Sequence, residues 1–222
     1  MASVQFLDAM RSAHLAIRPL ASFTPQPWRN GGGTTRLLAE NIDDAGSWRI
    51  SLADVALDGH YSRFADMTRV SLVVDGAGVT LDSGSARIEL LPARAAAYDG
   101  DADWRASLHN GPVMKLNAMV TRGRYSACIV PVFAERHVPS DCFALLLTLH
   151  GATVVLPTKQ DAASKASTTL AEAHVATRNA SGAAFDLSPA QREADDASDS
   201  STPSKAHRPY AALVLIRSTT HG

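Results

Sequence analysis

Ser47-Trp48-Arg49-Ile50-Ser51-Leu52-Ala53-Asp54-Val55 alternates with a period of two: Trp48, Ile50 and Leu52 fall on one face, Arg49, Ser51 and Ala53 on the other. That period belongs to a strand, whose successive side chains point to opposite sides. Outward from it, Val70, Leu72 and Val74 repeat the pattern as far as Asp75-Gly76, a turn dipeptide that tolerates positive φ. Val79-Thr80-Leu81 follows, and Asp82-Ser83-Gly84-Ser85 turns the chain into Ala86-Arg87-Ile88-Glu89-Leu90. Short strands at this spacing mark a sandwich or barrel. A second β block runs from Val113 to Val132 and continues through residues 143–149 and 152–156. Apart from Val4 to Leu15, no stretch carries a comparable helical stripe, so the sequence predicts an all-β chain.

After Pro157 the composition changes. Residues 158–205 are dominated by Ala, Ser, Thr and Asp and end in the acidic, serine-rich stretch Glu193 to Ser201. Few residues there repay ordering, which predicts a flexible insertion with transient helix near Ala162 to Ala176. The apolar run from Tyr210 to Arg217 then reads as a closing strand of the second block. The expected organisation is an N-terminal arm or short helix over 1–15 and a first β half over 16–127 carrying the candidate pocket. The second half takes 128–157 plus 206–222, with 158–205 as the insertion.

The chain has 222 residues, 45% hydrophobic and 19% charged, with a formal net charge of −1. The apolar fraction suffices for a packed core, and the charge balance argues against a nucleic-acid partner held by bulk electrostatics. The longest apolar stretch, Phe143 to Leu156, is broken by His150-Gly151 and too short for a membrane span. Asp8, Arg11, His14 and Arg18 interrupt any leader-like apolar run. A cytoplasmic protein with no membrane partner is expected, its two cysteines, Cys128 and Cys142, reduced. The eight histidines never occur as H-x-H, H-x-x-x-H or H-E-x-x-H, and no G-x-S-x-G is present. No metal, no cofactor and no catalytic residue is therefore assigned.

The most unusual segment is Pro27-Trp28-Arg29-Asn30-Gly31-Gly32-Gly33-Thr34-Thr35-Arg36. Consecutive glycines let a ligand approach main-chain N–H groups, and Trp28, Asn30 and the arginines could supply a wall, an amide and anion-pairing forks. The same residues also make a hairpin or bulge on Asn30-Gly31 with Trp28 as a core aromatic. Asp58-Gly59-His60-Tyr61-Ser62-Arg63-Phe64 is a turn whose Arg63 faces either an anion or solvent. In Gly111-Pro112-Val113-Met114-Lys115-Leu116-Asn117-Ala118-Met119-Val120, alternation puts Lys115 and Asn117 on one face. A buried asparagine needs partners, which makes Asn117 either a ligand contact or a clamp to backbone.

Taken together, these segments resemble the HutD family, also called HutD/Ves, of cupin-like proteins. The resemblance rests on residues 27–36, Trp48-Arg49-Ile50-Ser51, residues 58–64, Tyr98-Asp99-Gly100-Asp101, Gly111-Pro112-Val113 and Asn117-Ala118-Met119. It covers residues 16–156 and the terminal strand at 210–217. It implies a bicupin of two RmlC-like jelly-roll halves without metal-binding histidines. It also implies a link to bacterial histidine utilisation, with binding of a pathway intermediate such as N-formylglutamate. Lys115 departs from the acidic residue common in the family two positions before the asparagine and reverses the local charge. The 158–205 segment exceeds the family's expected length.

The expected function is metal-independent binding of a small anionic metabolite, regulatory in amino-acid catabolism and more binder than enzyme. The expected site comprises Trp28, Asn30, Gly31, Gly32, Gly33, Thr35, Arg36, Arg49, Arg63, Phe64 and Asn117, with a homodimer as the one macromolecular partner left open. Two alternatives stand beside it. One is a cupin-type enzyme, either an isomerase with an acid/base site on His60 or His109 or a metal-dependent dioxygenase, and the other is a protein–protein regulator working through a strand edge or the insertion.

Overall fold

A computed structural model describes residues 15–44, 46–157, 167–190 and 208–219. In chain order the strands are β1 (Ala16–Pro19), β2 (Gln26–Pro27), β3 (Gly33–Asp43), β4 (Gly46–Val55), β5 (Gly59–His60), β6 (Met67–Asp75) and β7 (Val79–Asp82). Then come β8 (Arg87–Leu90), β9 (Ala96–Asp99), β10 (Arg105–Leu108), β11 (Val113–Thr121), β12 (Tyr125–Val132) and β13 (Arg136–Val138). The last are β14 (Phe143–Thr148), β15 (Thr153–Pro157), β16 (Thr168–Leu170), β17 (His174–Arg178), β18 (Phe185–Pro189) and β19 (Ala211–Ser218). A 3-10 turn at Leu20–Ser22 is the one helical element among the described residues. The chain is all-β. The helical stripe from Val4 onward lies outside the described residues except for Leu15.

The backbone divides into two compact units. The first comprises Pro19–Pro131 and Val214–Gly222. Its six-stranded sheet runs β2-β3-β4-β11-β6-β9, and its four-stranded sheet runs β5-β10-β7-β8. Every named pairing between these strands is antiparallel. The sheets share one core: Ala53, Val55, Val73 and Val113 come from the six-stranded sheet, Val79, Leu81, Leu90 and Ala106 from the four-stranded one. Ile50, Leu52, Leu72 and Leu116 on the other face of the large sheet are buried too. Both faces of β4 thus carry packing, the second through Ala53 and Val55 next to the polar Ser51 and Arg49.

The second unit comprises the residues up to Arg18 and Val132–Leu213. Within it β14 pairs β17, and a four-stranded sheet runs β13-β18-β15-β16. The expected flexible insertion over 158–205 is corrected here, because residues 167–190 supply β16, β17 and β18. Leu170, Val175, Ala176, Phe185 and Leu187 are all buried. Each of these strands has only three to five residues, so the Ala/Ser/Thr-rich flanks hide them from any pattern argument. No helix forms over 167–176; residues 158–166 and the acidic stretch at 193–201 lie outside the described residues. The boundaries move as well, since Cys128–Pro131 and Val214–Gly222 cluster with the first unit.

Arg178, 1% exposed, shows how this unit accommodates a buried cation. Its guanidinium donates to the carbonyls of Gly182 at 3.2 Å, Ala183 at 2.8 Å, Pro139 at 2.7 Å and Cys142 at 2.6 Å. Main-chain carbonyls satisfy the guanidinium, and two loops, 139–142 and 179–184, are tied to one side chain.

Candidate functional site

The inward face of the six-stranded sheet carries three rungs fixed by strand register. Arg49, Met119 and Arg69 lie side by side across β4, β11 and β6; Ser51, Asn117 and Ser71 form the next rung, and Ala53, Lys115 and Val73 the third. Residues of all three floor a cavity of about 520 Å³, walled by Pro27, Trp28, Arg29, Asn30, Thr35, His60, Tyr61, Ser62 and Phe64. The lining brings together Arg29, Arg49, Arg69 and Lys115 and contains no carboxylate.

Lys115 is 1% exposed, and its Nζ stands 4.0 Å over the centroid of the Tyr61 ring. Burial first, and the neighbouring Arg69 charge second, hold its amine well below the ordinary lysine value. Arg69 is buried within three aromatic rings, with Cζ 5.2 Å from Tyr98, 5.4 Å from Tyr61 and 5.4 Å from Phe64. Ring quadrupoles favour such a cation, and its Nη1 also donates to the Ser62 carbonyl at 3.3 Å. The Nε atoms of Arg49 and Arg69 and the Tyr61 hydroxyl are nevertheless buried without a hydrogen-bond partner among the described residues. Buried polar atoms are nearly always satisfied. Here three orphans belong to side chains lining one cavity.

Asn117 makes the clamp that the sequence offered as one of two readings. Its Oδ1 accepts from Ser71 Oγ at 2.8 Å, Ser71 Oγ lies 2.9 Å from the Tyr98 hydroxyl, and Asn117 Nδ2 donates to the Lys115 carbonyl at 3.2 Å. This clamp crosses β9, β6 and β11, and Asn117 still lines the cavity.

Of the expected site residues, Trp28, Asn30, Thr35, Arg49, Phe64 and Asn117 line the cavity together. Trp28 Nε1 donates to Thr35 Oγ1 at 2.7 Å, and the indole meets Tyr61 edge to face at 6.4 Å. Gly31, Gly32 and Gly33 are not in the lining. They close a hairpin between β2 and β3: Gly31 adopts φ +70°, its N–H donates to the Trp28 carbonyl, and Trp28 N–H donates to the Gly33 carbonyl. Asn30 Oδ1 accepts from Gly32 N–H at 3.0 Å and locks the turn. Arg36 is opposite Leu52 in register, so it points away from the cavity, where Nη1 pairs with Asp54 at 2.7 Å. Arg63 is exposed, its Nε donating to the Asp101 carbonyl at 2.7 Å. The pocket is thus floored by strand side chains rather than by the triple glycine. Of the two histidines in the enzymatic alternative, His60 lines the cavity while exposed, 3.4 Å from Asp103. His109, outside the lining, meets Thr80 Oγ1 at 2.7 Å.

The family model described as HutD matches residues 20–194. The chain belongs to the HutD family. Among curated relatives, an uncharacterised 21.2 kDa protein in the hutC 3′ region of Pseudomonas putida is 36% identical over 106 residues, covering 46% of this chain and 55% of the relative. Protein Ves of Citrobacter koseri is 33% identical over 104 residues, covering 45% of this chain and 54% of that protein. The chain spans about half the length of these curated relatives. Among solved structures, HutD from Pseudomonas fluorescens SBW25 superposes with a TM-score of 0.71 at 21% identity, covering 93% of this chain and all of the other. A point mutant of oxalate decarboxylase from Bacillus subtilis gives 0.56 at 6% identity over 92% of this chain and 77% of that one. The fold is that of HutD and of the cupins.

Cupin relatives raise the question of a metal. Among the described residues no three His, Cys, Asp or Glu side chains cluster in a way that could hold one. The cavity's polar side chains are guanidinium, amine, amide and hydroxyl groups with the single imidazole of His60 and no carboxylate, a set that does not fit a divalent cation.

The residues missed by the sequence reading are Arg69, Lys115 and Tyr61. Arg69 shares the parity of Ser71 and opposes the Val70–Leu72 face, so alternation in β6 could have placed it inside. Lys115 was already on the Asn117 face. Nothing in the sequence marks Tyr61, whose position depends on a loop N–H donating to the Trp104 carbonyl.

Proposed function

We propose that the first unit binds a small carboxylate metabolite without a metal, and that the protein acts in the cytoplasm as a regulatory, non-catalytic component of histidine or related amino-acid catabolism. The observation that carries this is the cavity lined by Arg49, Arg69 and Lys115 with no acidic side chain. A carboxylate entering it would pair with guanidinium forks whose Nε donors have no other partner among the described residues. Asn117 and Ser51 add polar contacts, and Trp28, Phe64 and Met119 an apolar surface for the ligand's carbon chain. The hutC-region relative supports the pathway, and N-formylglutamate is a fitting ligand because its carboxylates match these cations.

Calorimetric titration with N-formylglutamate, glutamate and urocanate tests the reading. Saturable binding of at least one carboxylate is expected. Arg69→Gln should weaken it by roughly ten- to a hundredfold, the loss of one charge-assisted contact. No heat from any of the three at millimolar ligand would end the proposal.

A further inference from the structure

We propose that Lys115 captures a 2-oxo acid as a reversible imine inside the cavity, its Nζ bonding to the keto carbon while the neighbouring guanidinium groups hold the carboxylate. The inference rests on the carboxylate reading above and narrows its ligand class. Three features of the site carry it. Nζ belongs to a cavity-lining side chain that is 1% exposed and has no acidic residue in the lining to hold it as an ion pair. Arg69 and Lys115 stand against the same Tyr61 ring, Cζ at 5.4 Å and Nζ at 4.0 Å from its centroid, so an anion anchored on the guanidinium brings its adjacent carbon toward the amine. The Tyr61 hydroxyl, on a residue 7% exposed, is a buried proton donor with no partner among the described residues.

The titratable groups lining the cavity with Lys115 are Arg29, Arg49 from β4, Arg69 from β6, and His60 and Tyr61 from the segment after Gly59, of which Tyr61 and Arg69 act directly on the amine. None is acidic: the face of the Tyr61 ring favours the ammonium form, whereas burial together with Arg69 favours the free amine. A free amine is the nucleophile that condensation requires.

The step balances without oxidant or reductant. The amine lone pair bonds to the keto carbon, a proton passes from nitrogen to the former carbonyl oxygen, and a carbinolamine results. The carbon–oxygen bond then breaks, oxygen leaves as water after taking a proton from the Tyr61 hydroxyl, and the tyrosine regains a proton from nitrogen. Amine and ketone become imine and water, and hydrolysis reverses the sequence.

Sodium borohydride reduces an imine to a stable secondary amine, which makes the test direct. The full chain is incubated with pyruvate and borohydride, then weighed intact and peptide-mapped; lactate, lacking the keto group, is titrated calorimetrically in parallel. The expected result is one reduced adduct on the peptide carrying Lys115, absent without pyruvate and lost in Lys115→Met. The chain has only three other lysines, Lys159, Lys165 and Lys205, so mapping is unambiguous. Lactate or pyruvate binding with no reducible adduct would overturn the imine and leave the carboxylate reading standing. No binding of either, with no adduct, would overturn both for these ligands. An adduct on another amine, persisting in Lys115→Met, would also overturn the proposal. Should Lys115→Met fail to fold, the peptide map of the unaltered chain decides alone.

Discussion

At Lys115 the unfolded chain holds a proton more tightly than the folded one, because burial and Arg69 lower the amine below its ordinary 10.5. Between the lowered value and 10.5 the unfolded state binds more protons, so this residue makes stability rise with pH across that window. The penalty is largest at lower pH and fades as pH climbs. Urea denaturation at a series of pH values from neutral toward about 10 should show this rise, and Lys115→Met should flatten it. Above 10.0 the trend reverses, since burial raises the hydroxyls of Tyr61 and Tyr210 and the unfolded chain then loses protons first. Ser71→Ala breaks the Tyr98–Ser71–Asn117 clamp and leaves a buried amide oxygen unpaired, at a cost of about 1–3 kcal/mol in the same assay. At this scale the sequence was partly readable. Parity put Lys115 and Asn117 on one face and set Arg49 opposite Trp48, Ile50 and Leu52, yet it did not say which face is inward and could not sort Arg36 from Arg49. That depends on the register of β3 against β4, which aligns Arg36 with Leu52, and on the Asp54 carboxylate awaiting it.

The β2–β3 hairpin is the element on which the cavity's wall depends. Gly33 packs its Cα against the Asp54 carbonyl and near Trp28, so a methyl group there collides with backbone. Gly33→Ala should therefore separate β3 from β4 and lower stability severely, read as a fall in melting temperature with loss of ligand binding. Gly31 has open space around it but holds φ +70°, so Gly31→Ala should cost only about 1–2 kcal/mol, the strain of a left-handed residue. The contrast separates steric from conformational need within one triplet. Strands β4, β6, β7 and β8 were legible because their alternation and turn dipeptides are strong. Strands β16 to β18 were not: three to five residues each, set among Ala-, Thr- and Ser-rich flanks, give little contrast, and their burial is decided by distant partners such as β14 and β15.

For the whole molecule, the division into units does not follow chain order. Residues 214–222 belong with Pro19–Pro131, and Thr219 makes two hydrogen bonds there, its N–H to the Arg124 carbonyl at 2.9 Å and its Oγ1 to the Gly123 carbonyl at 2.8 Å. Val214, Leu215 and Ile216 are buried. A chain ending before Val214 should lose cooperative unfolding of the cavity-bearing unit and its ligand-induced rise in melting temperature, whereas one ending after Thr219 should keep both. The all-β class and two-block layout were readable from strand spacing. The last strand was readable in part: β19 pairs with β14, as expected of a closing strand of the second block, but residues from Val214 onward cluster with the first unit, because an apolar run declares burial without naming its neighbours.

That placement also orders events during synthesis. The residues that shape the cavity, between Pro27 and Met119, are made before Val132–Leu213 of the other unit, but their own unit is complete only once the part of β19 from Val214 to Ser218 has emerged. Domains made early usually fold early. Here sequence made early must wait for sequence made later, so a translation product truncated before Val214 would carry every cavity residue and still lack a finished cavity.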